Sequence, residues 1–189
     1  MKPFATTENT EDTESSGQQL YAQRNAINAR IELEHLKLEL EHRRTQYFRQ
    51  FIDQYFCYKN GLVTRGGLVN WGALPWKYTI SAGAEKIRLA NPHKLSKGAM
   101  AQLVVKEHVI PLRVIEAMLL DLVDSGKLTC ESIAAVLDQF VVFATITKTE
   151  DQVLVRAGLK DSMPEGWYPG TSSVFARYDK VGIRYTAKI

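Results

Sequence analysis

An α+β fold is what this sequence predicts, on three observations. Residues 18–58 place apolar side chains at helical spacing with no Gly or Pro among them. Two short runs, Leu103–Pro111 and Val141–Thr147, are rich in β-branched and apolar residues and suit strands. Between them, residues 112–123 and 131–140 keep a helical rhythm on either side of a turn at Asp124–Lys127. With 189 residues, 45% apolar and 24% charged, the chain can bury a substantial core. The expected architecture is a long N-terminal helix plus a compact domain with a small sheet and two or three packed helices.

Residues 1–16 are dominated by Thr, Glu, Ser and Asn, with little to bury, and read as a disordered tail. Residues 17–59 read as one long helix serving oligomerisation or a partner contact. A helix of ~40 residues would be about 60 Å long, so it must project, fold back as a hairpin or pair with a second copy. Two heptad seams compete within it. Ala29, Leu33, Leu36, Leu40 and Tyr47 form one, and Ile27, Ile31, Leu38, Phe48, Ile52 and Tyr55 the other. The aromatic stretch Tyr47–Tyr58 suits packing on the domain, while the Leu/Glu-rich first half suits a partner helix. His35 and His42 share a face with Glu34, Glu39 and Glu41 nearby, which reads as a solvated charged face or a metal pair, and Arg43-Arg44 adds a basic patch.

The compact domain is expected over 60–189. Asn60-Gly61 ends the long helix, and Trp71–Tyr78 reads either as a turn that folds two tryptophans onto the core or as a recognition loop of exposed aromatics. Residues 79–100 hold Lys86, Arg88, His93, Lys94 and Lys97 against the single acid Glu85, the most one-sided charge in the chain. Strands are expected around 102–109 and 141–147. Pro111 suits the first turn of a following helix, and Thr129–Ser132 suits the cap of the next one. Residues 148–155 read either as a helix entered past Thr149 or as a hairpin loop leading into a strand. A loop-rich C-terminal part follows, with a short helical stretch at Val174–Asp179.

A formal charge of +3 permits nucleic-acid contact without marking a strongly basic binder. Cys57 and Cys130 stand far apart with no CxxC spacing, against both a disulfide framework and a zinc finger. No apolar run approaches the ~18–20 residues of a membrane span, and the N-terminus lacks the apolar core of a signal peptide. The expectation is a cytoplasmic protein without membrane contact.

Chemistry concentrates at Lys106-Glu107-His108 within the first strand. Adjacent strand residues face opposite ways, so Glu107 and His108 enter one site only where the strand bulges or ends. The run Glu107-His108-Val109-Ile110-Pro111 resembles the first element of HNH-type (His-Me finger) nucleases. That resemblance implies Glu107 as a ligand of a divalent metal, Mg²⁺ or Mn²⁺, and His108 as the general base that activates water. The family's later Asn and final His or Asn have no counterpart, because neither residue type follows His108. Asp121, Asp124, Glu150 or Asp151 would have to supply the further ligand, with Asp151 taken as the metal candidate. Nucleic-acid contacts would come from Lys86, Arg88, Lys94, Lys97 and Lys106.

The leading expectation is therefore a nucleic-acid-directed protein, an HNH-like nuclease or an inactive descendant of one. A second is a non-enzymatic adaptor, inhibitor or assembly factor acting through the long helix. The third is a winged-helix DNA binder, with helix 131–140 in the major groove and Lys148 or Arg156 on phosphates.

Overall fold

The structure, a computed structural model, describes residues 11–91 and 97–186. Its first helix, α1 (Glu11–Glu41), begins inside the segment expected as tail. A sequence rich in acids suits the positive end of a helix dipole. The single helix expected over 17–59 is broken in two. After a turn, α2 (Phe48–Lys59) runs back along α1, so that His35 meets Phe51 and Ala26 lines one groove with Tyr58.

No Gly or Pro makes this break. Arg43 takes a left-handed φ of 53°, its amide donating to the Leu40 carbonyl and that of Arg44 to Glu39. A non-glycine residue there costs on the order of 1–2 kcal/mol. Folding back buries Leu36, Leu40, Phe48 and Ile52 together, and each such side chain contributes roughly 1.5–3 kcal/mol. Burial wins, and the Arg43–Asp124 and Arg44–Glu39 ion pairs hold the corner.

A 3₁₀ turn at Trp71–Ala73 leads into β1 (Thr79–Ser81) and α3 (Ala82–Ala90). Next come α4 (Lys97–Leu103), β2 (Val104–His108), α5 (Leu112–Asp124) and α6 (Cys130–Phe140). Strand β2 starts later than the strand expected around 102–109 because α4 takes its opening residues. The cap expected at Thr129 is present, its hydroxyl accepting from the Ser132 amide. Then follow β3 (Phe143–Thr147), α7 (Lys148–Arg156), α8 (Ala176–Val181) and β4 (Tyr185–Thr186).

Residues 148–156 are thus helix, and the hairpin of a winged helix is not formed. The decisive signal is Thr147 three residues before Glu150, a reciprocal capping box that starts the helix as soon as the strand ends. Thr149 is not the cap.

The four strands lie in the order β2-β3-β1-β4, with β1 parallel to β3 and the other pairs antiparallel. Helices cover both faces. Phe143 of β3 joins a large core with Leu36, Ile52, Ile115, Leu119, Ile133 and Leu137 from α1, α2, α5 and α6. Ala144 and Ile146, facing the other way, pack with Leu154, Tyr178 and Ile183. The α1–α2 hairpin is therefore part of the main core and not an appendage to it. Both cysteines are free thiols, Cys57 buried and Cys130 partly so. Among the described residues, no helix is long and apolar enough to cross a membrane.

Candidate functional site

Strand β2 pairs with β3 in regular register, Glu107 opposite Ala144 and His108 opposite Phe143. No bulge interrupts it, so the period of two sends Lys106 and His108 to the helical-hairpin face and Glu107 to the α7–α8 face. The carboxylate and imidazole that the nuclease resemblance joins in one site are separated by the sheet.

On the first face, Nε2 of His108 lies 2.7 Å from Oδ1 of Asp53, which α2 delivers from 55 positions earlier in the chain. Both side chains are 7% exposed, and the imidazole packs on the Phe143 ring with centroids 4.4 Å apart. The other Asp53 oxygen faces Lys106 Nζ at 3.6 Å and Arg49 Nε at 3.9 Å. Lys106 also sits over the rings of Trp71 (4.6 Å) and Phe143 (5.1 Å). One carboxylate thus compensates several basic groups in a half-buried setting, where an unpaired charge would be costly. An Asp–His pair is also how catalytic histidines are oriented. Burial pushes the Cys57 thiol, one turn beyond Asp53, up to about 11, so it stays protonated near neutral pH.

On the opposite face, Arg177 is fully buried. Its Nε donates to the Val109 carbonyl at 2.6 Å and its Nη1 to the Leu159 carbonyl at 2.8 Å, while Nη2 donates to the His108 carbonyl and the Glu107 carboxylate. The Tyr178 hydroxyl donates to the other Glu107 oxygen. Burial raises the Glu107 carboxyl above its ordinary value, although Arg177 and Tyr178 pull it down. Burial likewise pushes the Tyr178 phenol well above its usual range, and the neighbouring Glu107 adds to the effect. Both Glu107 oxygens are engaged, and the residue clamps α8 to the sheet.

The other expected site residues do not converge. Asp151 sits in the first turn of α7, and Asp124 pairs with Arg43. Among the described residues no three of His, Cys, Asp and Glu stand together as a metal-holding set. His35 leans on Glu32 at 3.3 Å, while His42 is exposed in the turn after α1. Of the basic residues, Lys106 is engaged by Asp53 and Arg88 makes two bonds to Glu85. Lys86 is exposed, Lys97 opens α4, and Lys94 lies outside the described residues.

The adjacent ends of parallel β1 and β3 each lead straight into a helix, where open α/β sheets often receive anions. That place is filled from within. Glu150 Oε2 accepts from Ser81 Oγ at 2.6 Å, from the Thr147 amide at 2.8 Å and from Thr147 Oγ1 at 3.0 Å, joining the N-caps of α3 and α7. A Cβ on Gly83 would meet Glu150 Oε1 at 2.8 Å, so glycine is required for the close approach.

An exposed apolar feature lies elsewhere. Helix α1 is apolar on two opposite faces. Ala29, Leu33, Leu36 and Leu40 are buried. Leu20 (66% exposed), Ile27 (54%), Ile31 (40%) and Leu38 (48%) form a straight stripe toward solvent, on the far side of the helix at about 100° per residue. Within α1 the two heptad seams separate, Ala29, Leu33, Leu36 and Leu40 inside the fold and Ile27, Ile31 and Leu38 outside it, while beyond the turn the assignment reverses, with Tyr47 exposed and Phe48, Ile52 and Tyr55 buried.

Asp53, Arg177 and Tyr178 are the residues that sequence reasoning missed. Asp53 stood among aromatic residues on the predicted buried half of the long helix, where an acid needs a basic partner. Nothing local linked it to His108. In comparisons with protein-family models, curated sequences and solved structures, no significant match to the chain was found.

Proposed function

We propose that this chain is a non-enzymatic assembly protein that holds a partner helix on the outer face of α1. The observation that carries this reading is the stripe Leu20, Ile27, Ile31 and Leu38, four large aliphatic side chains at heptad spacing, all exposed. Scattered apolar residues on a surface are ordinary, whereas a periodic row along one helix face is the mark of a helix-docking site. The polar clusters support the same reading. Asp53–His108 and Glu107–Arg177 are buried ties between helices and sheet, on opposite faces, with their bonding capacity largely used. They hold the scaffold on which α1 is presented.

The test is a photo-crosslinking residue placed at Ile31 of the full chain in producing cells, with a control at exposed Arg113 on α5. The expected result is a discrete adduct at position 31, none at 113, and loss of the adduct when Ile27→Glu is added. No adduct at 31, or equal adducts at both positions, would overturn the reading.

A further inference from the structure

We infer that the partner helix is α1 of a second copy of this chain, laid antiparallel on the outer face across a two-fold axis at the level of residue 29. This rests on the docking role proposed above for the outer face of α1 and names its occupant. The stripe is one part of a longer seam with steps of four and three: Leu20, Arg24, Ile27, Ile31, Glu34, Leu38. Leu20 and Leu38 are equidistant from Ala29, and so are Arg24 and Glu34, and Ile27 and Ile31. The seam reads the same from either end in chemical type, aliphatic against aliphatic and cation against anion.

An isologous interface requires this pattern, because a residue i that meets j must be matched by j meeting i. Antiparallel pairing about Ala29 stacks Leu20 on Leu38, Arg24 on Glu34 and Ile27 on Ile31 of the second copy, twice over. Parallel pairing would stack Arg24 on Arg24 and Glu34 on Glu34, with like charges facing one another. Charge therefore selects the orientation. The Arg24 guanidinium lies against the chain's own 64–67 turn, where Nη1 donates to the Arg65 carbonyl at 3.3 Å and the covered Nε and Nη2 have no hydrogen-bond partner, so it meets Glu34 of the second copy by swinging off that turn. Glu34 is held only by an exposed contact to Arg30 at 3.2 Å, a pairing weak enough to be shared or exchanged. The seam from Leu20 to Leu38 spans about 27 Å at 1.5 Å per residue, and it lies opposite the face of α1 that packs on its own domain. The two domains therefore flank the helix pair, with the 64–67 turn reaching the seam at Arg24.

The experiment is sedimentation equilibrium of the full chain, joined to disulfide mapping in a Cys130→Ser background. Wild type is expected to dimerise reversibly. Glu34→Arg should weaken the dimer about tenfold or more by opposing Arg24 of the second copy, and Arg24→Glu with Glu34→Arg together should restore it. On oxidation, a mixture of Leu20→Cys and Leu38→Cys chains should cross-link, while neither variant should cross-link with itself. Self-linking of either single variant would overturn the antiparallel register. A monomeric wild type, with a position-31 adduct that is not twice the mass of the chain, would overturn self-pairing alone. Absence of any position-31 adduct would overturn the docking role itself.

Discussion

His108 Nε2 and Asp53 Oδ1 stand 2.7 Å apart, buried between sheet and hairpin. This contact joins α2 to β2 across most of the core. Replacing Asp53 with Ala leaves His108 and Lys106 without their acceptor and should cost about 3 kcal/mol, the scale for breaking a buried pair. Asp53→Asn keeps an oxygen for the imidazole and should cost about 1–2 kcal/mol. Urea denaturation of the three chains measures both. Equal stability of Asp53→Ala and wild type would mean that the contact is not maintained in solution.

That pair also marks how far the sequence could be read. Periodicity disclosed the two core strands, α5, α6 and the α+β class, because these patterns are local. The turn at Arg43 was invisible: it uses a left-handed arginine paired with Asp124, beside an Arg44–Glu39 ion pair, and no breaker residue announces it. The face assignment of Glu107 and His108 followed from strand alternation alone. Their partners, Arg177 and Asp53, did not, because 70 and 55 positions respectively separate them from the strand. The outer seam of α1 was legible as a heptad pattern, but which of the two seams turned inward depended on the fold of the hairpin.

Glu107 gives a pH signature. Burial raises its carboxyl above the ordinary glutamate value of 4.5, so the native state binds this proton more tightly than the unfolded chain. Its contribution is then fullest below 4.5 and is lost as pH rises through the raised native value. Wild-type stability should fall across that window relative to Glu107→Gln, which cannot titrate. Denaturation midpoints of both chains through the acid range measure the difference. Parallel curves would show that Glu107 titrates as it does in the unfolded state.

Glu150 and Thr149 separate two accounts of where α7 begins. Glu150 accepts from Thr147 and from Ser81, serving the N-caps of two helices at once. Glu150→Ala should therefore cost about 2 kcal/mol, the upper end for losing a cap. Thr149 is exposed and caps nothing, so Thr149→Ala should stay within about 0.5 kcal/mol of wild type. Thermal unfolding followed by circular dichroism distinguishes them. A larger loss at Thr149 would place the helix start two residues later.

Plasmid DNA incubated with the full chain and Mg²⁺ or Mn²⁺ should remain supercoiled. For Glu107 to hold a metal beside His108, its carboxylate would have to leave Arg177 and Tyr178 and cross to the other face of a strand paired with β3 along its whole length. Releasing Arg177 from Glu107 would uncouple a fully buried guanidinium from the carboxylate it pairs with, at about 3–5 kcal/mol. Agarose electrophoresis of nicked and linear products is the measurement. Metal-dependent nicking by the wild type that disappears in His108→Ala would show that β2 rearranges to bring the two side chains together.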